Sequence, residues 1–218
     1  MRTLPLFALT LLAVPALAQG NPADPDKKVA GGGTMPAGWS FRLESPTASI
    51  ANVKFAPMGG GDGLHFTTGP AGIYWRDADA VTGSFHTVAT FTQVKAPEHP
   101  EAYGLFVAGK DLSTPTASYI YLIVRGNGMY SIWQGGAAGA RSTAITRWTA
   151  HDAVAKQDSA GKATNKLEVS SNGTKLTFKV NGATVHEMDA PSGGAGIVGI
   201  RMNHNLEVHV DGFAVHKM

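Results

Sequence analysis

Residues 165–187, NKLEVSSNGTKLTFKVNGATVHE, constrain the fold more than any other stretch of this 218-residue chain. Leu167 and Val169, then Leu176, Phe178 and Val180, then Val185 fall on one face. Lys166, Glu168, Lys175, Thr177 and Lys179 alternate onto the other, the period of two expected of half-buried antiparallel strands. Between the runs stand Asn172-Gly173 and Asn181-Gly182. Asn-Gly suits a two-residue type I′ hairpin because both central positions need positive φ. Asn127-Gly128 repeats the signal upstream. The chain therefore reads as all-β: a two-sheet antiparallel sandwich of jelly-roll type built from about a dozen short strands.

The N-terminus carries a different signal. Met1-Arg2 supplies a short positive start, Leu4–Ala16 is mostly apolar, and Ala16-Leu17-Ala18 before Gln19 has the small-x-small pattern of a secretory cleavage site. The apolar run is shorter than the ~20 residues that cross a bilayer. Residues 1–18 thus read as a signal peptide cleaved near Ala18/Gln19, residues 19–37 as a flexible N-terminal segment, and residues 38–218 as one domain. The expected location is the periplasm or the exterior, with no membrane span after cleavage. The chain has no cysteine, so burial and sheet hydrogen bonds must hold it without disulfides. Loss of Arg2 leaves 17 Lys and Arg against 16 Asp and Glu, scattered without a basic run. Nucleic acid, which needs clustered cations, is not the expected partner. A neutral ligand such as a carbohydrate, or a protein of the cell envelope, fits this balance.

Further strands read from WSFRLE (Trp39–Glu44), IANVKFAP (Ile50–Pro57), Leu64–Thr68, GIYWR (Gly72–Arg76) and SFHTVATFTQV (Ser84–Val94). Beyond the Pro-broken KAPEHPE, AYGLFVAG and SYIYLIVRG read as neighbouring core strands, followed by MYSIWQG. MGGGDG (Met58–Gly63) reads as a flexible loop; it lacks the Gly-Lys-Ser/Thr ending of a phosphate loop. Residues 136–164, with Trp148 alone in a polar surround, read as a long loop. In the last strand Leu206, Val208 and Val210 share a face, but Phe213 and Val215 continue it only after a skipped residue, which places a bulge at Asp211-Gly212.

Several segments in this order resemble the concanavalin A-like lectin/glucanase superfamily, within it the laminin-G-like and family-16-hydrolase-like domains, including those called 3-keto-disaccharide hydrolases. They are YGLFVAGKD (Tyr103–Asp111), YIYLIVRGNGMYSIW (Tyr119–Trp133), the isolated Trp148, NKLEV, LTFKVNG, GIVGIR (Gly196–Arg201) and VHVDGFAV (Val208–Val215). The likeness covers about two thirds of the chain without residues 1–18 and carries fold more than activity. It implies carbohydrate binding on a concave sheet face, with a glycoside hydrolase acting on 3-keto-disaccharides or related glycans, or a structural interaction domain, as alternatives. The E-x-D-x-(x)-E strand of the true glucanases is absent.

Candidate site residues follow from chemistry. Flat rings with a polar edge suit stacking on sugars, which singles out Trp75, Trp133 and Trp148, with Arg76, Arg125 and Asn203 as hydrogen-bonding partners. Asp77 and Asp79, spaced i,i+2 beside Tyr74 and Trp75, are the carboxylate pair for acid–base work, with His209 as a further candidate. Glu207, His209 and Asp211 alternate onto one face of the last strand as candidate metal ligands. No cofactor is expected unless calcium binds through Asp211 and loop carbonyls, as the laminin-G likeness implies.

Overall fold

The structure, a computed structural model, describes residues 25–58 and 63–218. The stretch read as a signal peptide, and residues 59–62 of the segment read as a flexible loop, lie outside the described residues. Among the described residues fourteen strands follow in order: β1 (Ser40–Leu43), β2 (Val53–Pro57), β3 (Leu64–Thr68), β4 (Gly72–Val81), β5 (Ser84–Gln93), β6 (Ala102–Lys110) and β7 (Ser118–Arg125). They continue as β8 (Met129–Gly135), β9 (Thr143–Ala150), β10 (Ala163–Asn172), β11 (Lys175–Val180), β12 (Ala183–Asp189), β13 (Gly196–Met202) and β14 (Glu207–Lys217). Two short 3-10 turns, Ile50–Asn52 and Pro191–Gly194, are the helical elements among the described residues. The strands make two antiparallel seven-stranded sheets, ordered β1-β4-β13-β6-β7-β8-β9 and β12-β11-β10-β5-β14-β3-β2. This is the jelly-roll sandwich that the alternation predicts.

The core lies between the sheets. Tyr74, Tyr103, Leu105, Ile120, Leu122 and Ile200 project from the first; Phe55, Phe66, Phe85, Phe91, Val169 and Phe178 project from the second, all buried. Leu167, Val169, Leu176, Phe178 and Val180 have no solvent exposure, so the sequence pattern and the burial pattern agree residue by residue. The outer face of the second sheet is polar, with Thr90, Thr92, Lys166, Glu168 and His209 alternating outward along β5, β10 and β14. Among the described residues the exposed large hydrophobics are Phe41 and Met218.

The three Asn-Gly pairs close three different turns. At Asn181-Gly182 both residues have positive φ, 49° and 85°, and Val180 faces Ala183, as type I′ requires. Asn172 instead stays at the strand end: its Oδ1 accepts from Thr174 N, Thr174 Oγ1 and Lys175 N at 2.8–2.9 Å. The reversal there falls on Gly173 (φ 87°) and Thr174. Between β7 and β8 the register pairs Arg125 with Met129, leaving a three-residue loop with Gly128 at φ 85°.

Two expectations change. The segment 136–164 is no long loop: Thr143–Ala150 forms β9 at the sheet edge, paired with β8 through shifted registers. Its polar composition hid the strand because an edge strand with few buried residues shows little alternation. Within residues 19–37, the part from Pro25 onward is anchored. Lys27 N donates to Asn205 Oδ1 (2.8 Å), Gly33 N donates to Val53 O (3.0 Å), and Met35 packs on the core. The β14 bulge falls where the skipped residue puts it, between Asp211 and Ala214, with Gly212 at φ 61°.

Candidate functional site

The outer face of the first sheet carries a second apolar cluster: Ile73, Trp75, Phe106, Tyr119, Tyr121 and Ile123. One half of it is roofed by the β6–β7 loop through Leu112. Arg42 of β1 holds this roof in place, donating to Leu112 O (2.9 Å) and Gly136 O (2.5 Å) with its guanidinium 5.3 Å from the Tyr119 ring centroid. The other half stays open as a cleft of about 760 Å³, a size ordinary for a ligand site. Tyr121, Ile123, Arg125, Trp133, Trp148 and Arg201 line it from the sheet; Glu44, Glu101, Asn203 and His204 line it at the strand ends.

Strand alternation explains the lining. Tyr121, Ile123 and Arg125 are successive outward residues of β7, while Leu122 and Val124 point into the core. Trp133 of β8 and Trp148 of β9 extend the aromatic surface toward the sheet edge, both half-buried. The Arg125 guanidinium stacks on Trp148 at 3.7 Å from the ring centroid, close enough for a cation–π contact.

A polar chain runs along the strand ends. Arg201, 3% exposed, donates from Nη2 to Glu44 Oε2 (2.7 Å) and Asn203 Oδ1 (3.2 Å). Asn203 Nδ2 donates to Glu101 Oε2 (3.1 Å), and His204 Nε2 bonds Glu101 Oε1 at 2.9 Å. His204 Nδ1 lies 3.4 Å from Asp26 in the N-terminal segment. Burial by itself would push the Arg201 guanidinium down, but Glu44, helped by the Tyr119 and Tyr121 phenols, outweighs it and holds Arg201 above its usual range. Burial lowers Arg125, an effect Glu101 opposes. Burial raises the Tyr121 phenol, with Arg201 pulling it back.

Of the residues singled out from sequence, Arg125, Trp133, Trp148 and Asn203 meet in this cleft. The rest do not. Trp75 belongs to the roofed half, 3% exposed, its Nε1 donating to Asp77 (3.1 Å); it offers no stacking face. Arg76 is turned away, paired with Asp79 at 2.7 and 3.1 Å and lying 5.2 Å from Trp39 and 5.4 Å from Phe213 ring centroids. Asp77 and Asp79 do not share one face because β4 bulges there: Trp75 faces Gly199 while Ala80 faces Ile197. The bulge breaks the i,i+2 alternation, leaving Asp77 on Trp75 and Asp79 buried on Arg76.

His209 and Glu207 stand on the other sheet. His209 lies opposite His65, ring centroids 4.9 Å apart, and Glu207 is held by Lys95 at 2.6 Å. Asp211 is exposed at the bulge, beside Gly63. Among the described residues no group of three or more His, Asp or Glu is placed to hold a metal, so Glu207, His209 and Asp211 are not brought together as a ligand trio there. Sequence reasoning passed over Glu44 and Glu101. Neither sits in a recognisable spacing, and only the sheet order brings β1 and the start of β6 to the ends of β13.

No family model and no curated protein sequence matches this chain. Solved structures match it in fold. The carbohydrate binding module CBM66 from Bacillus subtilis superposes with a TM-score of 0.56 at 12% identity, covering 83% of this chain and 96% of its own. The endo-beta-1,3-glucanase from Pyrococcus furiosus gives 0.58 at 12%, covering 86% and 91%. A glycoside hydrolase family 16 endo-glucanase from Bacteroides ovatus gives 0.51 at 11%, covering 81% and 94%. Identities this low speak for the fold alone, and the fold they share with this chain is the concanavalin A-like jelly-roll sandwich.

Proposed function

We propose that the protein is an exported carbohydrate-binding module whose ligand lies in the cleft on the outer face of the first sheet. The observation that carries this reading is the open half of that face. The sheet's apolar cluster is roofed on one side, yet Trp133, Trp148 and Tyr121 border a cavity of about 760 Å³ on the other. Aromatic rings flanked by arginine, asparagine and glutamate combine a stacking surface with directional hydrogen bonds, the mixture a sugar's apolar face and hydroxyl edge call for. That solved proteins of this fold include a carbohydrate-binding module and glucanases supports the choice of ligand class.

Binding is favoured over hydrolysis because the carboxylates of the cleft are engaged. Glu44 is paired with Arg201, and both Glu101 oxygens are taken up by Asn203 and His204, whereas hydrolysis by the usual route needs two carboxyls free to flank one bond. The test is titration of the mature chain against a broad oligosaccharide panel by calorimetry and tryptophan fluorescence. At least one glycan should bind, and Trp148→Ala should weaken it at least about tenfold, roughly 1.4 kcal/mol, with the thermal melt kept. A panel without binding, or full affinity in Trp148→Ala, would remove the reading.

A further inference from the structure

Resting on that glycan reading, we propose that the cleft selects an acidic sugar, a hexuronate unit whose carboxylate is received by Arg125. Among the described residues the cleft's three arginines and three carboxylates balance in formal charge but are unequally engaged. Each of its three carboxylates is engaged: Glu44 by Arg201, Glu101 by Asn203 and His204, Asp26 by His204. Two of its three arginines have no ion pair among the described residues: Arg125, and the exposed Arg141. Glu101 acts on Arg125 only through its field. The Arg125 guanidinium makes no hydrogen bond among the described residues; the stack on Trp148 fixes it against the cleft.

The hydrogen-bonding inventory points the same way. Three buried polar atoms of residues lining the cleft have no partner, Arg125 Nε, Arg201 Nε and Trp133 Nε1, and all three are donors. No cleft acceptor is in that condition among the described residues. A neutral sugar brings hydroxyls that donate as well as accept, and Glu44 Oε2, both Glu101 oxygens and Asn203 Oδ1 each already hold a hydrogen bond. A carboxylate only accepts. Its two oxygens match the fork of a guanidinium, and in a half-buried site the charge-assisted pair is screened less than in open water.

The experiment titrates the mature protein with oligogalacturonate, oligomannuronate and oligoguluronate, each beside the same chain with its carboxyls reduced to alcohols, and with a sulfated galactan oligosaccharide. At least one acidic chain should bind at least about tenfold tighter than its reduced form, roughly 1.4 kcal/mol. Arg125→Met, whose unbranched stem keeps apolar cover on Trp148, should bring that ratio below about threefold, while Arg125→Lys keeps part of it. Melting curves verify that both variants fold. Reduced chains that bind as tightly as the acidic ones would overturn the inference and leave the glycan reading standing. Equal binding of the sulfated galactan would overturn the carboxylate assignment, and a ratio unchanged in Arg125→Met would overturn the role of Arg125. No binding to any of these chains would overturn the inference alone, the glycan reading being decided by the broad panel.

Discussion

Removing Glu44 should destabilise the protein more than removing the arginine that Glu44 pairs with. The side chain of Arg201 is 4% exposed and that of Glu44 39%, so the two halves of the ion pair face different surroundings. In Glu44→Ala the guanidinium stays under the cleft with Asn203 as its remaining partner and Nε still unpaired. Stranding one partner of a fully buried pair costs about 3–5 kcal/mol. Water reaching the Glu44 side reduces this to about 2 kcal/mol here. For a chain of this size that is a melting shift of roughly 4–8 °C. In Arg201→Met the survivor is a carboxylate that solvent can reach, and the methionine stem keeps packing on Tyr121, so the loss should stay near or below about 1 kcal/mol. The double variant should resemble Arg201→Met alone, with a coupling of about 1 kcal/mol or more between the two sites. Urea unfolding followed by circular dichroism and tryptophan emission, with the slope m compared across variants, measures all three. If Arg201→Met costs as much as Glu44→Ala, the reasoning from unequal burial is wrong.

Two further outcomes are expected. Burial and the neighbouring His209 hold His65 below its ordinary 6.5 in the fold, so as pH falls the unfolded chain takes up that proton first. The associated stability is intact above 6.5 and drains as pH drops from 6.5 through the folded value. Glu207, held down by Lys95, and Glu168, where Lys166 and His86 outweigh burial, lie below their ordinary 4.5 and extend the loss under 4.5. Melting temperatures should therefore decline from pH 7.5 to 5, and His65→Gln should flatten that part of the curve while leaving the part below 4.5; an unaltered slope in His65→Gln would refute the assignment. Finally, the full chain expressed in a Gram-negative host should be recovered outside the cytoplasm with Gln19 as its first residue. A protein retained in the cytoplasm with Met1 intact by mass spectrometry would overturn export.

The fold was written in local chemistry. Alternation along β5, β10 and β11 put Phe85, Phe91, Leu167, Val169, Leu176 and Phe178 between the sheets, and each is buried. A period of two is a property of single strands, and one sequence suffices to read it. Glycine and asparagine fixed where the chain reverses, and the β14 bulge betrayed itself by a skipped residue, although which turn type each Asn-Gly adopts depended on the register of the flanking strands. β9 escaped because an edge strand need bury little.

The cleft was legible only in fragments. Arg125, Trp133 and Trp148 announced themselves as rings and a cation suited to a sugar, but so did Trp75 and Arg76, and the difference lies in neighbours far away in sequence. Leu112 roofs the half of the sheet that holds Trp75, and Trp39 and Phe213 flank Arg76 on another surface. Glu44 and Glu101 gained meaning when the order β1-β4-β13-β6 carried them to Arg201 and Asn203. Side-chain direction along a strand is decided residue by residue. Which half of a sheet face stays open, and which charges meet there, is decided by strand order and loop cover, which join residues as distant as Glu44 and Arg201, 157 positions apart, and leave no period in the sequence.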